Sequence, residues 1–94
     1  MDLTTYRASL SAAEPPEGIS LALTALWWDA KGDWDRAHHT AMEDKSQDGA
    51  AVHAYLHRKE GDLSNARYWY TRAAKAPAQG TLDAEWDALA QALL

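Results

Sequence analysis

Two segments, Lys31-Gly-Asp-Trp-Asp-Arg-Ala37 and Glu60-Gly-Asp-Leu-Ser-Asn-Ala66, repeat one pattern 29 positions apart: Gly-Asp, then Ala four residues after the Asp. The pattern joins two helix signals. Glycine accepts the left-handed backbone conformation that ends a helix, and the following Asp accepts hydrogen bonds from the free N–H groups that start the next one. A small alanine one turn later lets two helices approach closely. Extended backwards, the register aligns Ala25 with Ala54 and Trp28 with His57. Each unit is therefore a helix, a tight turn and a second helix, which is the signature of a helical-hairpin repeat.

The remaining helices follow from punctuation and periodicity. Asp2 caps a first helix over about Leu3 to Ala13, and Pro15-Pro16 ends it. The second helix, about Gly18 to Lys31, is apolar on most of its circumference and is expected at the centre. The third runs from about Trp34 to Asp44. Lys45 to Gly49 reads as a polar loop, the fourth helix as about Ala50 to Glu60, and the fifth as about Leu63 to Ala76. Pro77 and Gly80 break the chain, and Thr81 caps a last helix with Leu82, Trp86, Leu89 and Leu93 on one face. The expectation is an all-α domain of about six helices spanning residues 1–94: two hairpins with flanking N- and C-terminal helices.

The hairpin turns resemble those of the tetratricopeptide repeat, which carry Gly-Asp-aromatic-x-x-Ala, and Tyr70, Ala73 and Pro77 extend the resemblance. It covers Leu21 to Pro77. The repeat is shorter than the usual 34 residues, and His57 stands where that family has an aromatic residue. The run from His53 to Tyr70, with Trp27-Trp28 and Glu85-Trp86, also resembles a family of small bacterial proteins of uncharacterised activity. The first resemblance implies a protein-binding scaffold; the second implies no activity.

Composition narrows the chemistry. With no Cys, disulfides and thiolate metal sites are excluded. The net charge of −5 is spread along the chain, so a nucleic-acid-binding face is not expected. No run approaches the roughly 20 apolar residues that span a bilayer, and no signal peptide is evident at the start, so a cytoplasmic location is expected. No nucleophile context or phosphate loop surrounds any serine. The leading expectation is a non-catalytic module that binds a protein partner or its own copy, without a cofactor.

Five Trp and four Tyr supply its candidate partner surface: Tyr55, Tyr68, Trp69 and Trp27, with Arg58 from the local basic cluster that also includes Lys59, Arg67 and Arg72. Aromatic anchors dominate interface energetics. The candidate polar cluster is His53, His57, Glu60, Asn65 and Arg67. His53 and His57 are four apart and share a helix face, an arrangement compatible with two imidazoles on one metal. Ala54 excludes the His-Glu-x-x-His motif. A third ligand has to come from His38, His39, Glu43 or Asp44. His38 and His39 point about 100° apart and read as a solvated face. The alternative expectation is thus a small metal- or ligand-binding protein or enzyme centred on His53 and His57. The plainer reading makes them buried histidines held by Glu60, Asn65 or Tyr70.

Overall fold

The computed structural model describes residues 1–94. It contains helices α1 (Leu3–Ala8), α2 (Leu21–Ala30), α3 (Trp34–Glu43), α4 (Gln47–Glu60), α5 (Leu63–Arg72) and α6 (Leu82–Leu93), with no strand. No helix is long and apolar enough to cross a membrane. Helices α2 and α3 form the first hairpin, α4 and α5 the second, and α4 packs on α2, α3, α5 and α6.

Both repeated turns are built as the sequence requires. Gly32 and Gly61 lie in the left-handed region at φ 85° and 88°. The side chains of Asp33 and Asp62 accept from the N–H groups of Arg36 and Asn65. A Cβ on Gly61 would meet no other atom, so its cost is conformational alone. Gly61→Ala is expected to lower stability by about 1 kcal/mol, measured by urea unfolding. Ala74 is the only non-glycine residue at positive φ, 57°, and Ala74→Gly is expected to shift stability the opposite way, by up to about 1 kcal/mol.

Four helix boundaries differ from the sequence expectation, each for a local reason. Helix α1 tightens into a 3-10 turn at Ser9–Ser11, where the Ser9 hydroxyl donates to the carbonyl of Tyr6. Helix α2 begins only at Leu21, because Ser20 caps it through Leu23 N–H. Helix α4 begins at Gln47, three residues early, because Ser46 caps it through Gly49 N–H. Gly49 is a site of close approach rather than a breaker: a Cβ there would collide with the backbone oxygen of Asp44. Helix α5 ends at Arg72, with Lys75 N–H returning to the carbonyl of Tyr70.

The core fills the space between α1, α2, α4 and α6. Tyr6, Leu26, Trp27, Val52 and Leu56 are its largest fully buried side chains. Its polar ends are all satisfied: Tyr6 hydroxyl donates to Leu23 carbonyl, Trp27 Nε1 to Ser9 Oγ and Trp86 Nε1 to Leu26 carbonyl. Buried Asp29 accepts from Tyr55 hydroxyl at 2.8 Å and Lys59 Nζ at 2.9 Å, tying α2 to α4.

Candidate functional site: a three-histidine cluster

The side chains with metal-binding chemistry gather where α3, α4 and α5 meet. On α3, Trp34 and His38 are one turn apart on the face that also buries Ala37 and Ala41. Trp34 Nε1 donates to Leu56 carbonyl at 2.9 Å, fixing α3 against α4. The His38 ring lies flat on Trp34, with centroids 4.8 Å apart and planes 9° apart. On α4, His53 and His57 are both buried, and their centroids are 4.8 Å apart. On α5, Trp69 stacks on His53 at 3.9 Å and 15°. Two tryptophans thus wall a set of three imidazoles.

The nitrogens converge. His38 Nε2 and His53 Nε2 are 3.0 Å apart, and one ring nitrogen from each of His38, His53 and His57 lies within 4.8 Å of the others. His57 Nδ1 is 2.7 Å from Glu60 Oε1. A carboxylate only accepts, so His57 Nδ1 carries a proton, and in the neutral ring this tautomer places the lone pair on Nε2. His38 and His53 share a single Nε2 proton between them, one donating and one accepting. Burial lowers the pKa of His38, and His57 lowers it further. His53 is pushed down to about 4, first by burial and then by His38, His57 and Lys45. At neutral pH both imidazoles are uncharged and available as ligands.

Several candidate residues stand elsewhere. His38 is not on a solvated face; the turn of α3 that buries Ala37 and Ala41 carries it inward, while His39 is exposed. Asn65 and Arg67 do not join the cluster. Asn65 is half-buried, its N–H held by Asp62, and Arg67 lines a groove with Arg58, Tyr70 and Pro77. Tyr70 does not support the histidines, because its hydroxyl donates to Glu85 Oε2 at 2.5 Å.

The expected aromatic surface is mostly interior. Tyr55 is buried and bonded to Asp29, and Trp27 is wholly buried in the core. Arg58 is committed to Glu85 Oε1 at 2.9 Å and to the Gly80 carbonyl. Trp69 is half-buried against His53, and Tyr68 alone of the expected set is well exposed. Asp44 and Glu43 offer no ligand atom to the cluster; Asp44 Oδ1 accepts from the N–H and hydroxyl of Ser46. Trp34 is a member of the site that the sequence expectation omits; its i,i+4 relation to His38 is the signal that points to it.

Comparison with protein families, characterised proteins and solved structures found no match for this chain. The tetratricopeptide resemblance therefore gains no support from relatives, and the site is read from its own geometry.

Proposed function

We propose that the protein binds one divalent transition-metal ion of the zinc class through His38, His53 and His57. The observation that supports this most is the meeting of three imidazoles from two helices, with Glu60 fixing the tautomer of His57. Zinc–nitrogen bonds of about 2.0–2.1 Å place tetrahedral ligand nitrogens about 3.3 Å apart. His38 and His53, at 3.0 Å, already approach that spacing, and a ring nitrogen of His57 lies within 4.8 Å of both. A carboxylate on the far nitrogen of a ligating histidine orients the ring and raises its basicity, which is the role Glu60 takes here. Three protein ligands leave a fourth position for water or an exogenous ligand. This departs from the sequence expectation of no cofactor.

The test is calorimetric titration of untagged, chelator-treated protein with zinc. One equivalent is expected. His38→Ala, His53→Ala and His57→Ala are each expected to weaken binding at least a hundredfold, Glu60→Gln by about 10–100-fold, and His39→Ala not at all. Absence of zinc binding, or binding indifferent to His38→Ala and His53→Ala, sinks the reading.

The interaction-module reading retains one anchor, exposed Tyr68, with Arg72 across its ring at 5.8 Å. Sedimentation of wild-type and Tyr68→Ala protein over a concentration range tests it for self-association.

A further inference from the structure

A cavity of about 260 Å³ opens beside the cluster, and His53 and Trp69 form its inner wall. That is room for several waters, each with a share of about 30 Å³ in the liquid, or for one small polyatomic ion. Its rim carries two cations with no carboxylate partner. The molecule's five ion pairs use Arg7, Arg36, His57, Arg58 and Lys59, and leave Lys45 and Arg72 unpaired. Lys45 Nζ donates only to the Met42 carbonyl, at 3.0 Å. Arg72 donates to Tyr68 hydroxyl at 3.1 Å, and its guanidinium lies across Trp69, 5.4 Å from the ring centroid. Arg72, Trp69 and His53 therefore form one continuous layer leading from the rim to the cluster.

One carboxylate opposes this positive rim. Asp44 also lines the cavity, but the N–H and hydroxyl of Ser46 both donate to its Oδ1. The cavity thus offers two unneutralised cations against one partly satisfied carboxylate, and it meets the cluster that would hold a dication through His53, the one of the three imidazoles on its wall.

We infer that this cavity binds a small oxyanion, a phosphate or carboxylate group, held by Lys45 and Arg72 next to the metal. The inference rests on the metal reading, because the ion supplies the third and largest positive charge. Arg72 keeps guanidinium N–H donors beyond the one given to Tyr68, in the planar fork that suits paired oxygens, and Lys45 adds a mobile point charge. The layer of Trp69 and His53 keeps the guanidinium over a flat surface while the metal anchors the opposite side. A three-histidine set leaves the metal a fourth position, and an oxyanion oxygen reaching past His53 from the cavity would complete it.

Cobalt(II)-loaded protein, freed of excess metal, is the sample for the test, because its visible spectrum reports a change of ligand at the ion. Inorganic phosphate and acetate are titrated separately by calorimetry and absorption, and the tighter of the two identifies the oxyanion class. Binding with a spectral change is expected, weakened at least tenfold in the Lys45→Ala/Arg72→Ala double variant. Cobalt affinity of that variant, measured in anion-free buffer, is expected to stay within threefold of wild type, because its histidines are intact. If cobalt binds but neither anion does, or if the double variant binds anions as tightly as wild type, this inference is overturned and the metal reading stands. If the protein takes up no cobalt, the metal reading fails, and this inference falls with it.

Discussion

Trp27→Ala is expected to lower the stability of the protein by about 3–5 kcal/mol. Trp27 has no exposed surface and is among the largest fully buried side chains. Its ring contacts Trp28 edge-on at 4.9 Å, lies under the Lys31 ammonium at 5.3 Å, and donates to Ser9 Oγ. Truncation leaves a cavity bounded by elements that cannot all collapse into it, and it strands the 3-10 turn that packs α1 onto α2. A domain of this size holds roughly 5–14 kcal/mol in total. At about 4–8 °C per kcal/mol, thermal denaturation followed by circular dichroism should show the midpoint falling by at least about 12 °C. The adjacent Trp28 is half-buried, with the Arg36 guanidinium 4.1 Å from its ring centroid. Trp28→Ala should therefore cost clearly less. A small effect of Trp27→Ala, or one no larger than that of Trp28→Ala, would contradict the placement of Trp27 at the centre of the core.

The contrast between these neighbours shows what the sequence makes legible. Consecutive residues on a helix point about 100° apart, so Trp27 and Trp28 must serve different surroundings, but periodicity cannot say which one is central on a helix apolar nearly all round. The turns are legible because glycine conformation and Asp capping are local. The pairing of His53 with His57 is legible for the same reason, being one helical turn. The place of His38 beside them is harder to see, although Trp34, Ala37, His38 and Ala41 form one inward stripe; only the two alanines announce a contact face by their size. Tyr55 looks like an exposed anchor because its partner, Asp29, lies 26 residues away on another helix. A buried carboxylate able to satisfy a tyrosine has no local signal. The same holds for Glu85, which gathers Arg58 and Tyr70 from the second hairpin onto α6. The start of α4 is obscured because glycine in a first helical turn resembles a breaker, whereas the collision a Cβ would make with Asp44 is a property of the folded α3–α4 connection.

Acid should destabilise the metal-free protein through His53 and His38. In the folded state His53 titrates at about 4, against an ordinary value of 6.5, and His38 is lowered in the same direction. The groups facing His53 are His38 from α3, Lys45 from the α3–α4 loop, His57 from its own helix, and Trp69 with Arg72 from α5. The nearby carboxylates are both engaged: Glu60 is bonded to His57, and Asp44, which lines the same cavity as His53, accepts from the N–H and hydroxyl of Ser46. Between pH 6.5 and 4 the unfolded chain binds a proton at this position that the folded chain refuses. Stability is therefore complete above about pH 6.5 and is lost progressively as the pH falls toward 4. Each pH unit between the folded and unfolded titration midpoints corresponds to about 1.4 kcal/mol. His53 alone thus contributes a loss on the order of 2–3 kcal/mol between about pH 7.5 and 4.5. Urea unfolding at the two values, for wild type and His53→Gln, isolates this contribution from the carboxylates that titrate in the same range. The wild type is expected to lose the larger amount, with the difference matching the contribution of His53. Zinc should steepen the wild-type dependence, because it stabilises the folded state only when the imidazoles are neutral, and it should leave the His53→Gln dependence nearly unchanged. Equal losses in the two proteins without metal would mean that burial does not hold His53 neutral, and that the cluster is more open to water than its packing between Trp34 and Trp69 implies.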